Sequence, residues 1–373
     1  MPAPVLWLLV LGGIYASVAL ALRLAPPLSH AVLGNESGRK HALDGLRGVL
    51  ALSVVVHHVL LAYVFHADIG DDQLRANPFV AQLGSASVAL FFMISAYLFG
   101  GRIFSQAGKV NVAALFYSRA MRICPLYFFA VAVTVVIAAV ASGMRLQVSP
   151  PTLLKEIARH LLFGFVDRYE INGFPAQALL GPVWSLRFEW LLYFCLPIMG
   201  LLYRLTGWRI AAYAPLLALA ILWDARCYLF VAGLAVAQLV SFDSRGQKLA
   251  WQLAAGLCFP ILAFRFHSSY GIIPSLLLTP VLVAIVQQHR WISLLGSRVF
   301  RYVGEISFSI YLLQGIVFYL VGQATNTNLN RLTNIGFVTF TAVEGIIIVA
   351  VSTITFLAIE KPFMHRRLPA SSI

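Results

Sequence analysis

Charged side chains are scarce in this chain, and acidic ones are the scarcest. Only 11% of its 373 residues are charged, and 14 of them are Asp or Glu. Soluble domains carry about 25% charged and about 45–50% apolar residues, whereas this chain is 60% hydrophobic with a mean hydropathy of +0.84. A water-soluble fold could not cover its surface with so few polar groups. The composition therefore predicts an integral membrane protein, with room for at most about a dozen crossings.

The sequence also has few cysteines and no metal-ligand spacing. Its four cysteines lie in or beside apolar stretches, with no CxxC and no Cys/His pattern: Cys124, Cys195, Cys227 and Cys258. This arrangement excludes a disulfide framework and a zinc site of the usual kinds. Thiols in such positions behave as small hydrophobes, so we expect no metal cofactor.

Basic residues exceed acidic ones, giving a formal net charge of +13. Such an excess can indicate nucleic-acid binding, but here the basic residues occupy short segments between apolar runs, which is the pattern of membrane topology. Eighteen of the 27 lie in loops of one side, eight in loops of the other, and Arg187 lies inside a helix. The richer side is expected to be cytoplasmic. The chain is thus expected in the bacterial inner (cytoplasmic) membrane, N-terminus outside and C-terminus cytoplasmic, without a nucleic-acid partner.

Apolar runs predict an all-α, polytopic membrane helical bundle of about 10–11 transmembrane helices. The first run, Val5–Leu22, lacks basic residues before it and a good cleavage site after it, so a retained helix is favoured over a signal peptide. The other predicted spans are about 45–66, 83–100, 123–142, 183–203, 209–223, 226–241, 250–266, 271–288, 303–323 and 335–359. Leu153–Phe165 has an amphipathic pattern that is too short and too charged to span.

Three regions are predicted along the chain. Residues 1–42 form an extra transmembrane helix and a cytoplasmic linker, 43–363 the main membrane domain, and 364–373 a short cytoplasmic tail.

The densest group of ionisable residues opens the second apolar run, where Arg47 and His58 are eleven residues apart. On a helix this is about 16 Å, about half the hydrocarbon thickness, and the two side chains share a face. Asp44 can pair with Arg47 from three residues before it. Histidine is suited to take a hydroxyl proton near neutral pH. A structural histidine bonded to a neighbouring helix remains open, above all for His57.

Two further groups contain charges beside apolar runs. Arg119 and Arg122 are i,i+3 neighbours at a predicted helix start, which favours a phosphate-bearing ligand, although plain positive-inside anchoring explains them as well. Arg187 and Glu189 are too close in sequence to face each other on a helix. Each is expected to meet a partner elsewhere or a polar cavity, and a buried structural pair with other helices stays open.

These segments together resemble acyltransferase family 3, a family of bacterial membrane proteins that modify glycans and other acceptors. The resemblance rests on the following segments, in family order: Leu43–Gly48 with His58, Phe91–Leu98, Arg119–Tyr127, Trp184–Tyr193, and Gly304–Leu313 with Glu360–Phe363. The chain departs from the family pattern at Ala96, where glycine is usual, at Gln314, where histidine is frequent, and at Trp190, which replaces a second acidic residue.

The resemblance implies transfer of an acyl group, usually acetyl, from acetyl-CoA or another acyl-CoA to a hydroxyl of a sugar. The implied partners are acyl-CoA, a glycan or lipid-linked sugar acceptor, and the bilayer. His58 is expected as general base, with an acyl-histidine intermediate as an open variant, and Arg47 orients the donor. Glu189 orients His58 or binds the acceptor. The remaining implied site residues are Arg119, Arg122 and Tyr127 for the coenzyme, and Asp44, Trp184 and Ser95 for the substrate.

Two other classes of function stay open from the residues alone. A transporter could use buried His and Arg along a polar path, although the chain lacks the paired broken helices expected of many transporters. A non-catalytic membrane partner in glycan assembly is the third.

Overall fold

The structure is a computed structural model and describes residues 2–34, 41–66, 77–167, 169–241, 247–287, 290–325, 332–364 and 366. Residues 35–40 of the predicted linker and most of the predicted tail lie outside this part of the chain. Several basic residues used for the topology prediction also lie outside it: Arg39, Lys40, Arg75, Arg168, Arg245, Arg331 and Arg367.

The described chain is all-α. Its helices are α1 (Ala3–Leu24), α2 (Pro26–Leu33), α3 (His41–His66), α4 (Pro78–Ser105), α5 (Val112–Ala141), α6 (Pro150–His160), α7 (Leu186–Thr206), α8 (Ala214–Leu222), α9 (Tyr228–Ser241), α10 (Gln247–Arg265), α11 (Ile272–Val286), α12 (Arg298–Glu305), α13 (Ser307–Thr325), α14 (Asn334–Thr355) and α15 (Lys361–Met364). A π-helical turn, Phe356–Glu360, joins α14 to α15. Strand pairing within the described residues is limited to an isolated bridge between Ile171 and Phe174.

Helices are the expected solution for such a sequence, because a helix satisfies its own backbone hydrogen bonds where no water is available. Among the described helices, seven segments are long and apolar enough to cross a membrane: Ala3–Leu24, His41–Leu61, Pro78–Ser105, Val112–Ala141, Gly181–Thr206, Ser307–Thr325 and Asn334–Met364. They indicate a multi-pass membrane protein, as the composition predicts.

The other four predicted spans are also helical. Three form shorter apolar helices, Arg209–Leu222, Ala225–Ser241 and Ile272–Val286. The fourth is α10, which has a basic residue near each end, Lys248 and Arg265. The all-α class and the position of every predicted helix are therefore confirmed, while the count of ten or eleven crossings stays a prediction.

The amphipathic segment predicted at Leu153–Phe165 is a shorter helix than expected. It begins at Pro150, where the fixed φ of proline suits a first helical position, and ends at His160. Phe163 and Gly164 both have positive φ, 49° and 80°, which no helix continues through. The amphipathic pattern of the sequence continues to Phe165 and therefore does not indicate the helix end at His160.

The chain divides into two compact units. The first comprises residues 1–110, 192–307 and 328–346, and the second residues 111–191, 308–327 and 347–373. Helices α7 and α14 each pass from one unit to the other.

The first helix packs into the first unit. The indole N–H of Trp7 donates to the Ser53 hydroxyl on α3 at 3.0 Å. The Tyr15 ring stacks on the Phe300 ring of α12 with centroids 4.1 Å apart. Glycines allow a close approach elsewhere in this unit, since a Cβ at Gly233 of α9 would lie 2.8 Å from backbone atoms of Met93 on α4.

Candidate active site

Helix α3 places the predicted arginine and histidine on one continuous helix. It runs unbroken from His41 to His66, so Arg47 and His58 are about 16 Å apart along the axis and within about 20° in direction. Both side chains are half-buried, whereas residues 50–56 between them are all buried. The helix therefore carries two partly accessible ionisable groups on either side of a sealed stretch. Asp44, also half-buried, begins the same face.

The neighbouring histidine has a different environment. Nδ1 of His57 lies 2.8 Å from the carbonyl oxygen of Val80 on α4, and a carbonyl only accepts, so this nitrogen carries the proton. A Cβ at Gly84 would lie 2.7 Å from Nε2 of the same ring. The ring is thus held against the backbone of α4, as the structural interpretation of His57 expects. The rings of His57 and His58 are 5.4 Å apart and tilted by 47°.

Glycines of the opening motif have a packing role that the sequence did not reveal. A Cβ at Gly48 would lie 2.8 Å from the backbone nitrogen of Gly304 on α12. At Gly45 a Cβ would collide with the Leu295 carbonyl, and at Gly304 with the Asp44 carbonyl. Small residues let helix backbones approach closely, and the i,i+3 spacing of Gly45 and Gly48 was the available signal. This crossing fixes the rotation of α3 and hence the direction of its polar face.

Ser95 lies on α4, in the Phe91–Leu98 segment. Its side chain is half-buried, while its neighbours Ile94 and Ala96 are buried. The rings of Phe92 and Phe230 pack 5.0 Å apart and join α4 to α9. Ser95 therefore belongs to the accessible side of α4.

Helix α5 carries the predicted coenzyme arginines, but not at its start. The helix begins at Val112, capped by the Asn111 side chain, which accepts from the backbone N–H of Ala114 at 2.9 Å. Arg119 is the eighth helical residue, about 10 Å from the N-terminus. The predicted help from the helix N-terminus is therefore wrong, because its field fades within the first turn. The i,i+3 pairing of Arg119 with Arg122 is retained.

The two arginines make polar side-chain contacts, whereas Tyr127 is packed in the interior. One guanidinium N–H of Arg122 points at the sulfur of Met364 at 3.8 Å, and Arg119 donates to Ser118 at 3.3 Å. Tyr127 is completely buried, its hydroxyl donates to the backbone carbonyl of His160, and its ring stacks on Phe163. These contacts give Tyr127 a packing role, and its part in coenzyme binding stays a prediction.

The Trp-Ser-Leu segment lies at a junction between a 3-10 turn, Gly181–Ser185, and α7. Glu189 is in the first turn of α7, where a carboxylate is favoured by the helix dipole, and it is half-buried. The ring of Trp184 meets the Phe188 ring edge to face at 5.9 Å. The guanidinium of Arg187 lies 5.0 Å from that same Phe188 ring.

A polar network in the second unit joins motifs that are far apart in sequence. The hydroxyl of Tyr311 on α13 donates to the Ser185 hydroxyl at 3.0 Å. Ser185 in turn donates to the carbonyl of Pro182 at 3.0 Å. On the same helix, Ser309 donates to the buried carboxylate of Glu360. Sequence reasoning missed these partners, because spacing carries no information on contacts between distant segments, 126 residues apart for Tyr311 with Ser185 and 51 for Ser309 with Glu360.

Gln314 stands where the family often has histidine. It is completely buried, and its amide donates to the carbonyl of Tyr311 at 2.9 Å. An amide in this position holds the helix and has no titratable proton, so it performs no acid-base step.

The predicted site residues divide between the two units. The first unit contains Asp44, Arg47, His58 and Ser95, and the second contains Arg119, Arg122, Tyr127, Trp184 and Glu189. Helix α3 carries Asp44, Arg47 and His58, and α5 carries Arg119, Arg122 and Tyr127. Among the described residues, no group of three or more His, Cys, Asp or Glu side chains is placed to hold a metal ion.

A polytopic helical chain with an Arg/His pair on one helix fits a membrane acyltransferase. Comparison with protein families bears this out, since the acyltransferase domain family matches residues 40–357. The match covers nearly the whole chain, and the protein belongs to this family, acyltransferase family 3. Comparisons with curated proteins and with solved structures gave no match.

Proposed function

We propose that the protein is a membrane O-acyltransferase that moves an acyl group, acetyl in the simplest case, from acyl-CoA to a sugar hydroxyl. The acceptor is a cell-surface polysaccharide, an exopolysaccharide or a lipid-linked glycan. Family membership supports acyl transfer. The observation that carries the mechanism is α3, where Arg47 and His58 share one face and both keep partial exposure.

In the proposed reaction, His58 takes the proton of the acceptor hydroxyl as the oxygen attacks the thioester carbonyl carbon. The carbon–sulfur bond then breaks, and coenzyme A leaves as the thiol with the proton that His58 returns. General base catalysis of this kind contributes about 10²–10⁴-fold. The neighbouring His57 offers only Nε2 as a base, because its Nδ1 proton is directed at the Val80 carbonyl, and Nε2 lies against α4 at Gly84.

Arg47 is proposed to orient the donor, and Arg119 with Arg122 to bind coenzyme phosphates. A guanidinium binds phosphate bidentately, and Arg119 and Arg122 are i,i+3 neighbours on α5. Asp44, Ser95 and Trp184 are proposed for the acceptor, and Glu189 for orienting His58 or the acceptor. The proposed setting is the inner membrane, with the donor on the cytoplasmic side.

The proposal is tested with purified protein in detergent, radiolabelled acetyl-CoA and glycans extracted from membranes that lack the protein. We expect label to enter the glycan as an ester released by mild base, with one coenzyme A thiol formed per ester. Full transfer by the His58→Ala variant would refute the role of His58. A transporter would instead move solute across liposomes with no release of coenzyme A, and that result would refute the enzyme assignment.

A further inference from the structure

A cavity in the first unit lies at the end where α4 and α9 terminate, and none of the predicted catalytic, coenzyme or substrate residues lines it. It has a volume of about 440 Å³, and its lining includes Tyr97, Leu98, Gly101 and Ser105 of α4, Ala237 and Ser241 of α9, and Arg209. Ser105 and Ser241 are the last residues of their helices. The cavity therefore starts at the helix ends and extends into the apolar part of both helices.

The lining changes from polar to apolar along the helix axes. Ser105 lies at the mouth, and Tyr97 is eight residues, or about 12 Å, deeper on α4. On α9, Ser241 lies at the mouth and Ala237 one turn below it. Leu98, seven residues before Ser105 on α4, also lines the cavity and is 45% exposed, so the cavity is open at its apolar side as well as at the helix ends. A water-soluble anion would contact only the polar end of the cavity and would leave the apolar end unused.

The polar end contains a fixed cation. Arg209 donates to the Ser241 hydroxyl at 3.0 Å, and its guanidinium lies 5.3 Å from the centre of the Phe104 ring. These two contacts hold the guanidinium in place, which preorganises it for bidentate binding of a phosphate group.

Neighbouring residues place this end at the membrane surface. Trp208 and Ile210 flank Arg209 and are 72% and 70% exposed, and tryptophan concentrates at headgroup level in membrane proteins. The segments 98–110 and 200–213 contain four basic and no acidic residues: Arg102, Lys109, Arg204 and Arg209. A Cβ at Gly108 would lie 2.6 Å from the side chain of Arg204, so the two segments meet. The local field attracts anions.

We propose that this cavity binds an anionic phospholipid, with the headgroup phosphate on Arg209 and the upper acyl chain along Leu98 and Ala237. Basic pockets between transmembrane helices bind anionic lipid headgroups in this manner. The combination of a phosphate-binding end and a laterally open apolar end selects a lipid over a free phosphate.

The structure offers two variants that act on the site in different ways. Arg209→Gln removes the charge. Gly101→Leu fills the cavity and leaves every charge in place, because a Cβ at Gly101 meets no atom within 4 Å. Matched controls are Arg298→Gln, an exposed arginine of α12 that does not line the cavity, and Gly256→Leu, an exposed helical glycine with the same open space.

The test is native mass spectrometry of the full chain in neutral detergent, titrated with phosphatidylglycerol or phosphatidylcholine. We expect phosphatidylglycerol to bind at least fivefold more tightly than phosphatidylcholine. Arg209→Gln and Gly101→Leu should each weaken phosphatidylglycerol binding at least fivefold, and both controls should stay within twofold of the unmodified chain. An equal concentration of inorganic phosphate should not displace the lipid.

Equal binding of the two lipids, unchanged binding by both Arg209→Gln and Gly101→Leu, or displacement by inorganic phosphate would each overturn the proposal. No acyl transfer is measured, so the outcome is independent of the enzymatic assignment.

Discussion

At the scale of single residues, we expect the two adjacent histidines on α3 to have different roles. His57 contributes to stability, and His58 contributes to the reaction. His57 donates to Val80 and contacts the backbone of α4 at Gly84. We expect His57→Ala to destabilise the protein by about 2–4 kcal/mol, because it leaves a cavity and an unpaired carbonyl. His58→Ala should remove transfer. Thermal unfolding in detergent, measured beside the activity assay, checks both.

The opposite pattern, with a stable His57→Ala that has lost activity, would reverse the two roles. The sequence singles out His58 by its spacing from Arg47 and by the family motif, but it does not show the contacts of either ring. Only the register between α3 and α4 shows which ring meets a backbone carbonyl. Tyr127 is a second example. It lies in the same motif as Arg122, but its hydroxyl donates to the backbone carbonyl of His160.

At the scale of helices, the crossing of α3 and α12 depends on glycine. Gly48→Ala should destabilise the protein by about 1–3 kcal/mol. The added Cβ would collide with the backbone of Gly304, and relieving the collision requires a whole helix to shift. Gly12→Ala is the matched control, since a Cβ there meets nothing within 4 Å. Denaturant unfolding of the two variants provides the comparison. Equal stability would show that the helices do not approach so closely.

The contact between α13 and the Gly181–Ser185 turn depends on one hydroxyl. Tyr311→Phe removes the hydrogen bond to Ser185 and should cost about 1 kcal/mol, visible as a lower unfolding temperature. Tyr169→Phe, at a 61% exposed tyrosine, should change nothing measurable. If Tyr311→Phe is as stable as the unmodified chain, the hydrogen bond between Tyr311 and Ser185 does not contribute to stability.

The positions of the helices were predictable from the sequence, because long apolar runs of this composition form helices in a membrane. The ends of the helices were less predictable. The hydropathy of the run at 123–142 suggested a start near the arginines, but α5 begins at Val112, where Asn111 supplies a cap. A cap is one polar residue among many, so hydropathy does not register it. The end of the amphipathic helix at His160 depends on the backbone at Phe163 and Gly164 and was equally hidden.

For the whole molecule, the family and the all-α class followed from sequence motifs, while the sidedness stays a prediction. The bias of basic residues predicts an outside N-terminus and a cytoplasmic C-terminus. A reporter that is active only in the cytoplasm should therefore work at the C-terminus and fail at the N-terminus. The reverse result would place the arginine end of α3 away from the coenzyme pool, and the donor assignment would fail with it.

The division of the chain into two compact units was beyond sequence reasoning. Motif order along the chain shows that residues 43–363 contain the family segments, but not that α3 with α12 belongs to one unit and the Tyr311 network to the other. Long-range partners such as Ser309 and Glu360 are fixed by packing. Spacing within one helix, as for Arg47 and His58, is the part of a site that sequence can supply.

The central claim is that Arg47 and His58 act as a pair on one face of α3, one on the donor and one on the proton. It is tested by steady-state kinetics of Arg47→Gln and His58→Gln with varied acyl-CoA and saturating acceptor. The account predicts that Arg47→Gln raises the KM for acyl-CoA at least tenfold with a smaller effect on kcat. His58→Gln should lower kcat at least about 100-fold with little change in that KM. An unchanged kcat in His58→Gln would contradict the account.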